Sequence, residues 1–162
     1  MRQKVRNSMQ ATTTSVSDAA AQIYKNVKMG SSSITDLLPK VTDERLRAEM
    51  MTHLEGYERF ASEAKALLDA EHKEAKEASA FTRISAKMGT AMNTMMDSTA
   101  SHIAEMLIEG STMGITDQMR ILHELDRGAK AEDDPNYKKA MRLAADVISF
   151  EEAQIEKMKK YL

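Results

Sequence analysis

One stretch constrains the fold more than any other. Leu46, Met50, His53, Tyr57, Phe60, Ala64 and Leu67 follow one another at alternating steps of four and three, with Leu54, Ala61 and Leu68 beside them. That spacing puts all of them on one face of a helix and matches the seam of a bundle or coiled coil. Thr42, Asp43 and Glu44 stand where an N-cap and the positive end of the helix dipole favour hydroxyls and acids. Beyond Leu68 the apolar signal fades into Glu71–Glu77, a Lys/Glu run that reads as a solvated helix end. A β-sandwich or barrel is excluded on different grounds. It needs many turns, and 2 Pro and 6 Gly in 162 residues cannot supply them. The predicted class is all-α.

Three further segments carry helical periodicity. Ala20, Ile23, Val27, Gly30, Ile34, Leu37 and Val41 form one face, with Ser15 or Ser17 as cap and Pro39 as terminator. The last helix opens at Pro135 behind Asp134, and its predicted seam is Tyr137, Met141, Ala144, Ile148, Glu151, Ile155, Met158 and Leu162. Between Phe81 and Arg127 the pattern is helix-compatible throughout, so length decides. A segment of roughly 27 residues spans about 40 Å, and a helix over 81–127 would overhang such partners by some 25 Å. Asp97 and Ser98 offer an internal cap. The reading is a partly helical connection over about 72–97 and a helix over about 98–127. Such a connection runs the height of a bundle, which predicts a ferritin-like four-helix bundle with a long crossover between helices 2 and 3. Residues 1–14 are expected to form a flexible arm and 15–162 a single domain.

Charge and composition exclude several functions. With 23 Lys+Arg against 25 Asp+Glu and no long basic run, nucleic-acid binding has no electrostatic footprint. The chain has no cysteine, so it has no disulfide, thiolate metal site or cysteine nucleophile. No apolar run approaches the length of a spanning helix. No membrane partner is expected, and a cytoplasmic location is. The glycines build no phosphate-binding loop, and the His and Ser residues show no triad spacing.

Two segments carry a resemblance. Ile23-Tyr24-Lys25-Asn26-Val27-Lys28-Met29-Gly30 followed by Leu37-Leu38-Pro39-Lys40 is one, and Ser101-His102-Ile103-Ala104-Glu105-Met106-Leu107-Ile108-Glu109-Gly110-Ser111-Thr112-Met113-Gly114 is the other. Both resemble a group of uncharacterised bacterial proteins, of Firmicutes type, with a ferritin-like four-helix bundle. The resemblance covers nearly the whole chain. It implies a fold and carries no activity.

Bundles of this kind hold two metals in the core, using one Glu from each of two helices and a Glu-x-x-His pair from each of the others. Residues three apart share a helix face, which lets a carboxylate and an imidazole reach one ion. Here the second helix reads Met50-x-x-His53 and the last reads Glu151-x-x-Gln154. The first helix offers Met29, Gly30 and Ser31 to Ser33 at the equivalent depth, without a carboxylate. The pattern is broken in three places, which disfavours an oxidase. A reduced site remains as an expectation. In the long-crossover topology His53, Glu109 and Glu151 fall at one depth, about ten residues from the helix ends, with Glu105 and His102 nearby. In a simple up-down-up-down bundle Asp117 and Asp146 would stand there instead. The alternatives are a structural His–Glu pair and a site for one divalent ion, Fe, Mn or Zn.

Methionine is abundant, 14 residues against 3 Phe and 4 Tyr. Met88, Met92, Met95 and Met96 cluster and could suit Cu(I), yet no repeat or His partner accompanies them. Core filling is the better reading. The third helix is apolar on two stripes. Ile103, Met106, Leu107, Gly110 and Gly114 form one, and Ala104, Ile108, Ile115 and Leu122 form the other. The second stripe predicts cover by the crossover or by another subunit, a homodimer through Ile108, Ile115 and Leu122. The functional expectation is a non-enzymatic bundle with a binding or structural role. The alternative is a metal-binding protein of storage or redox stress.

Overall fold

The computed structural model describes residues 14–73, 96–128 and 133–162. Among them are four α-helices: α1 (Val16–Leu37), α2 (Glu44–Ala70), α3 (Ala100–Arg127) and α4 (Pro135–Lys159). No described residue is in a strand. The expected arm over 1–14 lies outside the described residues except for Thr14. That residue is held, because its hydroxyl donates to Glu124 at 2.7 Å.

Each helix starts where a side-chain oxygen can accept from an otherwise unpaired N–H. Ser15 accepts from Asp18, Asp43 from Leu46, Thr99 from His102 and Asp134 from Asn136. Thr99 takes the place that Asp97 or Ser98 was expected to fill, while Asp97 accepts from the N–H of Thr99 instead. α1 ends at Leu37 because Pro39 forces the chain into a 3-10 turn over Leu38–Lys40. At the end of α2, His72 adopts φ 55° and the Lys73 N–H donates back to the Leu68 carbonyl. This is the six-to-one bond of a Schellman turn, with histidine where glycine is usual.

The helices pack in a ring, and neighbours run antiparallel. Lys28 of α1 meets Glu58 of α2, Asn26 of α1 meets Asp117 and Gln118 of α3, and Asn136 of α4 meets Glu71 at the end of α2. At the other end Lys160, just past α4, pairs with Glu49 near the start of α2. α1 and α4 therefore point one way, α2 and α3 the other. Residues 74–95, which contain most of the expected connection and Met88, Met92 and Met95, lie outside the described residues.

The core follows heptad seams. In α2 the buried set contains every residue of the predicted seam, from Leu46 to Leu67. In α4 the seam is displaced. Ala140, Ala144, Val147, Glu151, Gln154 and Met158 are buried, while Met141, Ile148 and Ile155 sit half-buried at its edge. In α3 the seam Ala104, Leu107, Ser111, Gly114, Gln118, Ile121 and Leu125 is small or polar in the middle. Met50 and Met158 are core residues, but Met113 is 68% exposed and Met96 is fully exposed. Ile108 and Leu122 are half-buried and pack against the protein's own core.

Candidate functional site

Halfway along the bundle all four helices contribute to one constellation. α2 places His53 and Tyr57 four residues apart, so their rings stack, with centroids 4.6 Å apart and planes 26° from parallel. Phe150 of α4 packs edge-on against both, at 5.3 and 5.6 Å. Next along α4, Glu151 turns inward. The Tyr57 hydroxyl donates to its Oε1 at 2.6 Å. The His53 Nε2 stands 3.6 Å from its Oε2. That separation allows electrostatic attraction to a protonated imidazole but exceeds hydrogen-bond length. His53 and Glu151 are each 1% exposed, and both imidazole nitrogens and Glu151 Oε2 have no hydrogen-bond partner.

Glycines make the room for these groups. A Cβ at Gly30 of α1 would overlap the Tyr57 ring, and one at Gly56 would overlap Phe150. A Cβ at Gly114 of α3 would come 2.8 Å from Glu151 Oε1. Burial and the neighbouring Glu151 carboxylate push the Tyr57 phenol well above its ordinary pKa, with the Ser111 hydroxyl opposing them. The phenol is therefore a fixed donor to Glu151. Outside this layer Ser31 and Lys28 bond Glu58, and they hold its carboxyl below the ordinary range, the serine contributing most. This clamps α1 to α2 beside Gly30.

A pocket of about 140 Å³ lies between α1 and α3, with Gly30, Gly110 and Gly114 in its lining and open space beside Gly110. His53, Tyr57 and Glu151 form its floor. Ile34, Leu37 and Leu107 line its walls together with Met29, Met106 and Met113. Asn26 and Asp117 stand at the rim, bonded to each other at 3.4 Å.

The expected ligand set is not assembled. His53 and Glu151 meet, but Glu105 and Glu109 are exposed and His102 faces Glu105 at 3.6 Å on the surface. The depth argument for Glu109 holds along the axis and fails around it. Leu107 and Ser111 point inward, and a residue two positions from either lies about 200° away, on the opposite side of the helix. Glu105 stands in the same relation to Ile103 and Leu107. Among the described residues no group of three or more His, Cys, Asp and Glu could hold a metal ion. Met50 and Gln154 are buried where a di-metal centre would require Glu and His. The residues present do not fit that centre.

Sequence reasoning missed Tyr57 as a functional partner, since a tyrosine on an apolar seam reads as packing. It also missed the buried Gln118, whereas Gln154, read three residues after Glu151, is buried as that spacing implies. Among the described residues no helix is long and apolar enough to cross a membrane. Comparisons with protein-family models, with curated proteins and with solved structures gave no match.

Proposed function

We propose that this chain is a non-enzymatic, ferritin-like bundle that binds a small organic ligand at the depth where that architecture builds its metal centre. One observation carries the reading. A buried carboxylate oxygen and a buried imidazole, neither hydrogen-bonded, form the floor of a pocket open between α1 and α3. Leaving such groups unpaired costs about 1–3 kcal/mol each. A ligand atom at the floor would recover part of that cost. The walls suit an apolar body, because methionine adapts its shape to what it meets. An apolar cavity of about 150 Å³ accepts a benzene-sized molecule, so the volume is sufficient.

The antiparallel neighbours support the ferritin-like arrangement. α2 finishes where α4 begins, and α3 ends beside the start of α1, so that its own start lies at the far end. A connection between α2 and α3 must then run the length of the bundle. The proposal extends to a cytoplasmic bacterial protein that pairs as a homodimer through the outer stripe of α3. Met119, which lies about 40° from Ile115 around that helix, is exposed beside the stripe and supports pairing. A monomer mass in light scattering at micromolar concentration would contradict it.

Pocket binding is tested by titrating uncharged and charged fragments while following backbone amide resonances of Gly30, Gly110 and Gly114. Selective shifts of these amides are expected. A set of fragments that moves none of them would remove the reading. A second reading is a single divalent ion, favoured by the 3.6 Å between His53 Nε2 and Glu151 Oε2, which one ion could bridge. With two protein donors it is the weaker reading. Elemental analysis after refolding with Zn, Fe or Mn separates the two, and one retained ion per chain would favour it.

A further inference from the structure

We infer that the ligand of this pocket is a small primary or secondary organic ammonium, whose N–H groups donate to Glu151 Oε2 while its apolar part lies along the methionine-lined wall. The inference rests on the pocket reading above and adds the charge and donor class of the ligand. Four observations select it.

The unpaired atom of Glu151 is an acceptor. Its other oxygen is already satisfied by the Tyr57 hydroxyl, which burial holds protonated. A ligand carboxylate placed there would meet like charge and two acceptors without a proton between them. The second observation is the charge of the lining. Two carboxylates, Glu151 at the floor and Asp117 at the rim, line the pocket, and no lysine or arginine does. Arg120 pairs with Asp117 at 3.0 Å from the solvent side, and both residues of that pair are well exposed. Screening by water weakens that pair, so the rim carboxylate still attracts a cation.

Third, His53 does not hydrogen-bond the carboxylate. Its Nε2 lies 3.6 Å from Oε2, and its ring is locked between Tyr57 and Phe150. The imidazole cannot swing closer without losing those ring contacts. Oε2 itself keeps less than 1 Å² of accessible surface, so an N–H donor in the pocket reaches it when the Glu151 carboxyl rotates toward α3. Fourth, the pocket is small and its walls are apolar, with Met29, Ile34, Leu37, Met106 and Leu107 among them. The volume of about 140 Å³ fits a body of about six heavy atoms behind the nitrogen. A quaternary ammonium brings charge without an N–H and leaves Oε2 unpaired, so it should be rejected.

The test uses the full chain and four probes of similar size: n-butylammonium, n-butanol, butyrate and tetramethylammonium. Affinities come from calorimetry, and location comes from the amide shifts of Gly30, Gly110 and Gly114. Butylammonium is expected to bind at those amides at least tenfold more tightly than each of the other three. Glu151→Gln keeps the shape and the acceptor for Tyr57, and it should abolish that preference while butanol binding changes less than threefold. If butanol equals butylammonium at the same amides, the cation inference falls and the pocket reading stands. Preferential binding of butyrate overturns the inference. If none of the four probes moves these amides, the inference and the pocket reading fail together. The probe series on the unaltered protein keeps the test decisive even if Glu151→Gln does not fold.

Discussion

A methyl group added at Gly30 and one added at Gly110 meet opposite surroundings, although both glycines line the same pocket. At Gly30 the new Cβ overlaps the Tyr57 ring, which is buried and stacked on His53, so it has nowhere to retreat. Overpacking of this kind costs about 1–3 kcal/mol, against a gain of about 1 kcal/mol from replacing a helical glycine by alanine. Gly30→Ala is expected to destabilise the fold in urea unfolding. At Gly110 nothing lies within 4 Å of the added atom. Gly110→Ala should therefore stabilise by about 0.5–1 kcal/mol. Equal effects at the two sites would mean that Tyr57 is not held where the packing places it. Tyr57 also sets the alkaline limit. Its pKa is raised in the fold by burial and by Glu151. The folded state thus favours the neutral phenol. This contribution is fully present below the unfolded value of about 10 and is lost as pH climbs toward the folded value. Thermal midpoints should fall above pH 10, and Tyr57→Phe should flatten that fall while lowering the midpoint at neutral pH. A variant with an unchanged alkaline slope would remove Tyr57 from this role.

Among the elements, α2 was the most legible and α3 the least. The seam of α2 is apolar at every step except His53, and strict alternation of four and three leaves one helical register. α4 offers two seams one residue apart. Ile148 and Ile155 are more apolar than the Val147 and Gln154 that are buried, so periodicity favours the wrong edge. The inward turn of Glu151 toward Tyr57 is a tertiary contact that no window of α4 contains. In α3 the buried Ile103, Leu107 and Gly114 stand on a predicted stripe, but Ser111 and Gln118 read as solvent-facing. They are buried because the large groups come from α2 and α4 opposite. The same cause separates the predicted site from the observed one: depth along a helix is countable, while azimuth depends on the partner. The end of α2 was read only as a fading charge run, but it stops at a defined residue. His72 adopts φ 55°, a conformation that costs a residue with a Cβ about 1–2 kcal/mol. After subtracting the greater unfolded-state freedom of glycine, His72→Gly should stabilise the protein by about 0.5–1 kcal/mol. Loss of stability on that substitution would mean that the imidazole itself holds the turn.

For the whole molecule, the direction of the helices has a consequence for distance that local chemistry cannot mimic. If α2 and α3 run the same way, the end of one and the start of the other are separated by the height of the bundle. The 28 residues of α3 span about 42 Å at 1.5 Å per residue. In an up-down-up-down bundle the same two points would lie side by side, within about 10–15 Å for neighbouring or diagonal helices. The chain contains no cysteine, so two can be introduced and labelled without background. Lys73 and Ser98 are both exposed and stand just outside the two helices. In the doubly labelled Lys73→Cys, Ser98→Cys protein, pulsed electron spin resonance should report a main separation near 40 Å. A main separation below about 20 Å, a few helix diameters at most, would overturn the ferritin-like topology. In the antiparallel pair of α2 and α4, Lys160 meets Glu49 at one end, Asn136 meets Glu71 at the other, and Tyr57 meets Glu151 between them, so the distance measurement tests the chain path that goes with this register.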